Sequence, residues 1–223
     1  MTDGLISHWK LNEASGTRVD SHGSNDLTDN NSVASDTGKI GNAAKFTRAT
    51  ETWLSHADNT DLSMGDIDFT IAFWAYIDVL SVGNPQDCIA KWDFGAAREE
   101  YLCRFNSSNK FQFFVRDTAN TTTGNIASTT SISAVTWYFV MMWHDSVGDT
   151  INVSVNNGTA DSTGWSGGVR DETSNLNIGR LTDSTTTALL GGRLDSISIW
   201  KRLLTSGEKA SLYNSGAGLD YPF

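Results

Sequence analysis

The stretch Gly191-Gly192-Arg193-Leu194-Asp195-Ser196-Ile197-Ser198-Ile199-Trp200 decides the fold of this chain. Its alternation of apolar and polar side chains predicts a β-strand that places Asp195, Ile197 and Ile199 on one face. A carboxylate that points towards a core is unfavourable unless a hydrogen-bond donor, a cation or a metal compensates it. The pattern therefore predicts that another segment, from the N-terminal end of the chain, brings a partner to Asp195.

The segment after this strand predicts a short helix. Thr205 stands three residues before Glu208, which is the spacing of a capping box. Leu212 and Tyr213 continue an apolar stripe, and Asn214-Ser215-Gly216 supplies a glycine stop. We expect one short helix here and strands over most of the remaining chain.

The length and composition indicate one large domain that covers residues 1–223. The chain is 39% hydrophobic and contains eight tryptophans, which is enough to form a packed core. Its formal net charge of -10 argues against a surface that binds nucleic acid, because such a surface needs clustered lysine and arginine. No run of about 18 apolar residues is present, so we expect no membrane insertion.

The N-terminus and the cysteines bear on the compartment. The segment Met1-Thr2-Asp3-Gly4-Leu5 lacks the basic and apolar regions of a signal peptide. We therefore expect synthesis in the cytoplasm, with a virion surface as one destination; the alternative is a secreted or cell-surface domain whose presequence has been removed. Cys88 and Cys103 flank a predicted hairpin, where they form either two reduced thiols in adjacent strands or a cross-strand disulfide.

The most apolar strand is predicted between Asp68 and Ile77. Its core face is formed by alternating residues: Phe69, Ile71, Phe73, Ala75 and Ile77. Trp74 and Tyr76 take the opposite face.

Several segments together resemble one family. An N-terminal tryptophan strand leads into the loop Asp20-Ser21-His22-Gly23, and a glycine-rich turn at Gly38 feeds a strand that ends at Phe46. The final strand, its Leu203-Leu204 corner and the capped helix follow at the other end. This pattern resembles the laminin-G-like jelly-roll domains of the concanavalin A-like lectin/glucanase superfamily over essentially the whole chain, and the phenylalanine-led central strand also resembles that of pentraxins. The resemblance implies an all-β fold: a two-sheet antiparallel β-sandwich (jelly roll) with one short C-terminal helix.

The superfamily includes glucanases, whose activity requires a catalytic pair of carboxylates. Retaining glycoside hydrolysis needs two carboxylates about 5 Å apart, and the glucanase signature Glu-x-Asp-x-x-Glu supplies them from one strand. None of the glutamates begins such a pattern, and the chain has no Gly-x-Ser-x-Gly elbow. We expect a protein that is not an enzyme.

The resemblance also implies a site for a structural calcium ion. The first and last strands are neighbours in the family fold, so the loop at Asp20 can reach Asp195. Asp20, Asn25, Asp195 and backbone carbonyls of this loop would then supply the oxygen ligands that calcium prefers. The alternative is that Arg193 neutralises Asp195, or that Asp195 accepts backbone N–H groups.

Four aromatic residues are candidates for ligand binding, since sugars stack on exposed aromatic rings: Trp74, Tyr76, Trp92 and Trp165. The alternative for each is that the ring packs under a loop. The leading interpretation is a non-catalytic binding or adhesion domain whose partner is a glycan or a cell-surface polysaccharide. The competing interpretation is a phage virion protein, a capsid decoration or tail-fibre module, which contacts other virion subunits and forms a homo-oligomer.

Overall fold

The computed structural model describes residues 1–80, 83–182 and 188–223, and β-strands dominate these residues. The strands are β1 (Leu5–Trp9), β2 (Thr28–Asn30), β3 (Ala34–Thr37), β4 (Asn42–Phe46), β5 (Trp53–His56), β6 (Phe69–Ile77), β7 (Gln86–Asp93), β8 (Arg98–Phe105), β9 (Phe111–Arg116), β10 (Thr123–Ala127), β11 (Trp137–Asp145), β12 (Thr150–Val155), β13 (Asp161–Gly164), β14 (Leu176–Ile178) and β15 (Gly192–Trp200). One α-helix, α1 (Ser206–Tyr213), and two single 3-10 turns, Arg48–Thr50 and Asn214–Gly216, complete the described elements.

The strands form two antiparallel sheets that pack face to face. The eight-stranded sheet has the order β13-β12-β11-β6-β15-β4-β3, with β1 paired to β15. The seven-stranded sheet has the order β10-β9-β8-β7-β14-β5-β2. The predicted fold class, a two-sheet β-sandwich with one short C-terminal helix, is confirmed. None of the described helices is long and apolar enough to cross a membrane.

The core lies between the two sheets and includes every second residue of β6. Phe69, Ile71, Phe73, Ala75 and Ile77 belong to one buried cluster, as the alternation predicts. Phe73 meets Phe111 of the facing sheet edge-to-face, with ring centroids 6.4 Å apart. Aromatic pairs of this geometry stabilise a core beyond the area that they bury.

The outer face of the eight-stranded sheet is covered by the C-terminal part of the chain. A second buried cluster joins residues of the sheet to α1 and to the segment before it: Leu5, Ala72, Trp74, Phe139, Met141, Trp200, Leu204 and Leu212. The predicted capping box is present, because the Thr205 side chain accepts from the Glu208 N–H and the Glu208 carboxylate accepts from the Thr205 N–H. Glu208 also pairs with Arg202 at 2.6 Å, which ties the helix to the corner after β15.

The last residues of the chain cover His8 on β1. The ring of His8 stacks on Tyr221 with centroids 4.8 Å apart, and its Nδ1 is 2.7 Å from the Ser198 hydroxyl. Burial, assisted by the charge of Lys10, lowers the pKa of His8 to about 4. His8 is therefore neutral in the folded protein at neutral pH.

Strand β15 contains one extra residue, which changes the predicted orientation of Asp195. Asp195 lies opposite Trp74, but Ser198 lies opposite Ala72, so three steps along β15 match two steps along β6. Ser196, at the bulge, has a φ of 49°. The prediction that Asp195 shares a face with Ile197 and Ile199 is wrong, because the bulge leaves the isoleucines in the core and turns Asp195 to the outer face.

A second irregularity places the cysteines out of register. Asp87 pairs with Arg104 and Ile89 pairs with Cys103, so Cys88 is the extra residue of β7. Both cysteines are free and fully buried. Burial raises the pKa of both thiols, which keeps them protonated.

Candidate ligand-binding clefts

Asp20 organises the loop that follows β1. Its Oδ1 accepts hydrogen bonds from the backbone N–H groups of His8 (3.0 Å), His22 (3.0 Å) and Gly23 (2.9 Å). Its Oδ2 accepts from the Asn25 N–H at 3.1 Å. Burial raises the pKa of this carboxyl, but the N–H donors outweigh burial and leave the pKa below its usual value. Asp20 is thus an anion enclosed by backbone donors.

Asp195 has a similar set of partners on the outer side of β15. Its Oδ2 accepts from the backbone N–H groups of Lys39 (2.7 Å) and Ile40 (2.8 Å), and its Oδ1 accepts from the Ser196 hydroxyl (3.0 Å). Burial raises the pKa of Asp195 to about 6, although these donors oppose the shift. The expected partner does come from the N-terminal part of the chain, and it is a pair of backbone N–H groups.

The third predicted metal ligand, Asn25, is also engaged by protein groups. Its Nδ2 donates to the Ser7 hydroxyl at 2.8 Å, and its Oδ1 accepts from Asn59 at 2.6 Å. Within the described residues, no group of three or more His, Cys, Asp or Glu side chains could hold a metal ion. The contacts of Asp20, Asn25 and Asp195 therefore fit loops closed by N–H donors and not an oxygen cage, and structural calcium stays a prediction.

Trp74 lies on the outer face of β6, as the alternation predicts, but the chain covers it. Only 2% of its surface is exposed. Its ring packs against Phe139 (centroids 5.2 Å apart) and stacks on Tyr213 of α1 (6.0 Å), and Lys39 lies 4.9 Å from the ring centroid. No face of this ring is open to a ligand.

Two other aromatic candidates also have protein partners. Tyr76 packs against Trp137 with centroids 5.3 Å apart, and the guanidinium of Arg193 lies 4.4 Å from its ring centroid. Arg193 pairs with Asp36 at 3.2 Å and not with Asp195. Trp92 is 2% exposed on the outer face of the seven-stranded sheet, where a further buried cluster covers it.

Trp165 differs from these residues because part of its ring faces an open cleft. It follows β13, its N–H donates to the Asp149 carbonyl at 2.6 Å, and its indole N–H donates to the Gly168 carbonyl at 2.7 Å. The ring lies directly against Gly124 of β10, where an added Cβ would come within 2.6 Å of it. Glycine at this position is what lets the ring approach the sheet. The protein alone therefore fixes both the indole and the backbone of Trp165.

The cleft beside Trp165 has a volume of about 550 Å³ and is polar and acidic. Its lining residues are Asp117, Thr122, Asp149, Gly164, Trp165, Ser166 and Gly167. Burial raises the pKa of Asp117, but bonds from the Thr121 and Thr122 N–H groups and hydroxyls lower it to about 2. Asp149 is exposed, and within the described residues its carboxylate accepts no hydrogen bond. The lining that the structure describes includes two carboxylates and no lysine or arginine.

Sequence reasoning missed two half-exposed tryptophans that line further clefts. Trp53 of β5 carries Arg180 over its ring at 4.6 Å, beside a cleft of about 270 Å³ on the seven-stranded sheet. Trp143 of β11 carries Lys209 over its ring at 3.4 Å. The sequence does indicate both residues, because alternation with the core residues Leu54 and Met142 places both tryptophans on outward faces.

Known structures share this fold. The binding domain of the Paraclostridial Mosquitocidal Protein 1 has a TM-score of 0.78 and 17% identity, over 96% of this chain and 53% of that chain. The botulinum neurotoxin serotype G binding domain has a TM-score of 0.73 and 16% identity, over 94% and 50%. The chain thus spans about half the length of these two domains. Domain 4 of an extracellular arabinanase from Geobacillus stearothermophilus, solved with arabinotriose, has a TM-score of 0.69 and 14% identity, over 96% and 98%.

Sequence comparison gives the family. No curated protein sequence matches the chain. A laminin-G family model matches residues 48–208, which is well over half of the chain and includes β5 to β15 and the start of α1. The match and the two-sheet sandwich agree with each other. The chain belongs to the concanavalin A-like lectin/glucanases superfamily.

Proposed function

We propose that this protein is a non-catalytic carbohydrate-binding domain and that its ligand is an uncharged glycan held in the Trp165 cleft. The observation that carries the proposal is the half-exposed ring of Trp165, fixed by its own hydrogen bonds, at the side of a cleft lined by hydroxyls and carboxylates. Sugars present an apolar ring face and many hydroxyl donors, and such a cleft offers partners for both.

The electrostatics of the cleft support an uncharged ligand. Asp117 and Asp149 are acceptors for sugar hydroxyls, and they repel carboxylates and sulfates. The net charge of -10 adds to this repulsion at low salt. The volume of the cleft, about 550 Å³, lies within the usual range for small-ligand sites.

The structural neighbours support the class of function. Two of them are toxin binding domains, and a third is an arabinanase domain solved with arabinotriose. Binding of a carbohydrate or cell-surface partner is therefore consistent with this fold. Non-catalytic binding also agrees with the absence of the glucanase carboxylate motif from the sequence.

A glycan array followed by titration calorimetry tests the proposal. We expect neutral oligosaccharides to bind, and Trp165→Ala to abolish measurable binding because the stacking surface is lost. Asp149→Asn should weaken binding while leaving the fold intact, since asparagine tolerates the φ of 48° at this exposed turn. Trp53→Ala is the matched control, because Trp53 is also half-exposed and lies at a different cleft.

Two outcomes would contradict the proposal. One is that no neutral glycan on the array binds the wild-type protein; the other is that Trp165→Ala binds as the wild type does. A third measurement addresses catalysis: the wild type should release no more reducing sugar from laminarin than a heat-inactivated sample.

The virion role and the homo-oligomer stay predictions beside this proposal. Light scattering combined with native mass measurement tests both, because a stable homo-oligomer that lacks glycan affinity would favour an assembly subunit. A monomer that binds glycan would favour the proposed function.

A further inference from the structure

Trp143 and Lys209 form a contact between the sheet and α1, at a cavity that shares no described lining residue with the Trp165 cleft. Trp143 projects outwards from β11, opposite Asn152 of β12. The Lys209 ammonium lies 3.4 Å from the centre of the Trp143 ring. This cation–π contact fixes the position of the ammonium. Without such a contact, the flexible lysine side chain would leave the ammonium without a fixed position.

The two residues border a cavity of about 340 Å³ on the outer face of the eight-stranded sheet. The other polar groups that line it come from β12, from the loop after β12 and from the first turn of α1: Ser154, Asn157, Thr159 and Ser206. Among the described residues, the side chains of Asn157, Thr159 and Ser206 make no hydrogen bond. They are free to meet a ligand.

Among the residues that the structure describes, no acidic side chain compensates the charge of Lys209. No described carboxylate forms an ion pair with it, whereas several other basic side chains of the chain pair with an acid, as Arg202 does with Glu208 at 2.6 Å. The described lining of the cavity contains no aspartate or glutamate. Burial lowers the pKa of Lys209, because desolvation disfavours the charged ammonium.

We propose that this cavity is a second binding site and that it binds the carboxylate of an acidic sugar, a uronic or sialic acid. This proposal goes beyond the proposed function. The carboxylate accepts a charge-assisted hydrogen bond from Lys209 Nζ. The sugar hydroxyls bond to the amide of Asn157 and to the hydroxyls of Thr159 and Ser206. Trp143 acts as a positioning residue, because its ring face holds the ammonium and is not open for stacking.

The choice of an acidic sugar follows from the groups that surround the ammonium. A fixed cation in a partly desolvated cavity selects an anion, because the ion pair gains more there than at an open surface. Hydroxyl and amide groups around it match a polyhydroxylated ligand better than an apolar one. The volume of about 340 Å³ lies near the lower end of the range for small-ligand sites, which suits a single sugar residue.

Nuclear magnetic resonance titration of the full chain tests the proposal, with sodium glucuronate as the probe and methyl glucoside as its uncharged match. The indole N–H resonance of Trp143 is assigned by its loss in Trp143→Phe. We expect glucuronate to shift this resonance and the backbone amides of residues 157–159 in a saturable manner. Methyl glucoside should leave these resonances in place.

Variants then assign the ion pair. Lys209→Gln should weaken glucuronate binding by about tenfold or more, since a charge-assisted bond is lost, and Lys209→Arg should retain it. Lys39→Gln is the matched control, because Lys39 also lies over a tryptophan ring but at the covered face of Trp74. Asn157→Gly provides a second test if Lys209→Gln disturbs α1, since glycine accepts the φ of 54° at this position.

The proposal is overturned if glucuronate shifts none of these resonances up to its solubility limit. It is also overturned if the glucoside shifts them equally, or if Lys209→Gln binds glucuronate as the wild type does. None of these results bears on the Trp165 cleft, so the two proposals fail separately.

Discussion

Trp74 and Trp165 are outward tryptophans in two regions of the molecule: the chain covers the ring of Trp74 but leaves part of the Trp165 ring open to a cleft. Trp74 is enclosed between Phe139 and Tyr213, because α1 and the segment around it lie on the outer face of the eight-stranded sheet. Trp165 is held at an end of β13, where none of the described residues that line the cleft belongs to a helix. The comparison teaches that the covering segment, and not the residue type or its strand position, determines which aromatic ring is available for a ligand.

The largest expected effect comes from the two neighbouring residues on opposite faces of β6. Phe73→Ala and Trp74→Ala should each lower the free energy of unfolding by about 3–5 kcal/mol, since both rings are buried on their respective faces. Urea denaturation at neutral pH measures both values. A loss below about 1 kcal/mol for Trp74→Ala would break the comparison, because the outer face would then behave as an exposed surface.

The covering segment also makes stability depend on the protonation of His8. Its pKa falls from 6.5 to about 4 on folding, so the unfolded chain binds more protons between these values. The His8 contribution is present above pH 6.5 and is lost as the pH falls towards 4, by about 2–3 kcal/mol. In His8→Gln this part of the pH dependence should disappear. Denaturation of both proteins at pH 7 and pH 4.5 checks this, and equal pH dependences would contradict it.

Asp195 should show the opposite sign. Its pKa rises from 3.8 to about 6 on folding, so its stabilising contribution is present below pH 3.8 and is lost as the pH rises through 6. Asp195→Asn cannot ionise and still offers an oxygen to the N–H groups of Lys39 and Ile40. Relative to the wild type, the variant should therefore gain roughly 2 kcal/mol between pH 4 and pH 7.

If a calcium ion were bound at Asp195, the Asp195→Asn substitution would lower the stability at neutral pH instead of raising it. At a hundredfold excess over its Kd, an ion bound only to the folded state stabilises it by about 2.7 kcal/mol. The N–H contacts of Asp20 and Asp195 lead us to expect the same wild-type melting curve in calcium and in chelator. A higher melting temperature in calcium, lost in Asp195→Asn, would support the calcium prediction.

The smallest expected effect concerns Lys39, which lies over the covered ring of Trp74. Lys39→Gln removes one cation–π contact and should cost about 0.5–1 kcal/mol. Thermal melting of this variant beside Lys209→Gln sharpens the comparison between covered and open faces. A clearly larger loss for Lys39→Gln would show that the ammonium does more than contact the ring.

The parts of the fold that local sequence determines were predictable. The capping box at Thr205 and the alternation along β6 depend only on residues a few positions apart, and both are confirmed. The orientation of Asp195 was not, because the extra residue of β15 shows only in its pairing with β6, more than 100 residues away. The burial of Trp74 likewise depends on Tyr213, a contact that no local pattern encodes.

The candidate sites follow the same division. Trp165 was predicted because it lies in a glycine-rich loop, and its cleft is open. The contact between Trp143 and Lys209 was missed, because it joins a strand to a helix that the sequence separates by 66 positions. The alternation along β11 indicates that Trp143 points outwards, but no local pattern indicates that Lys209 is its partner.

The bulge at Ser196 has a consequence for changes in chain length. Strand β15 lies at the middle of the eight-stranded sheet and pairs with β6, β4 and β1 at once. Deletion of this single serine would restore strict alternation and would leave Leu194, Ile197 and Ile199 facing the core and Asp195 and Ser198 facing outwards. Among homologous chains, we therefore expect both the bulged strand and a strand that is one residue shorter here, because the two place the same side chains in the core.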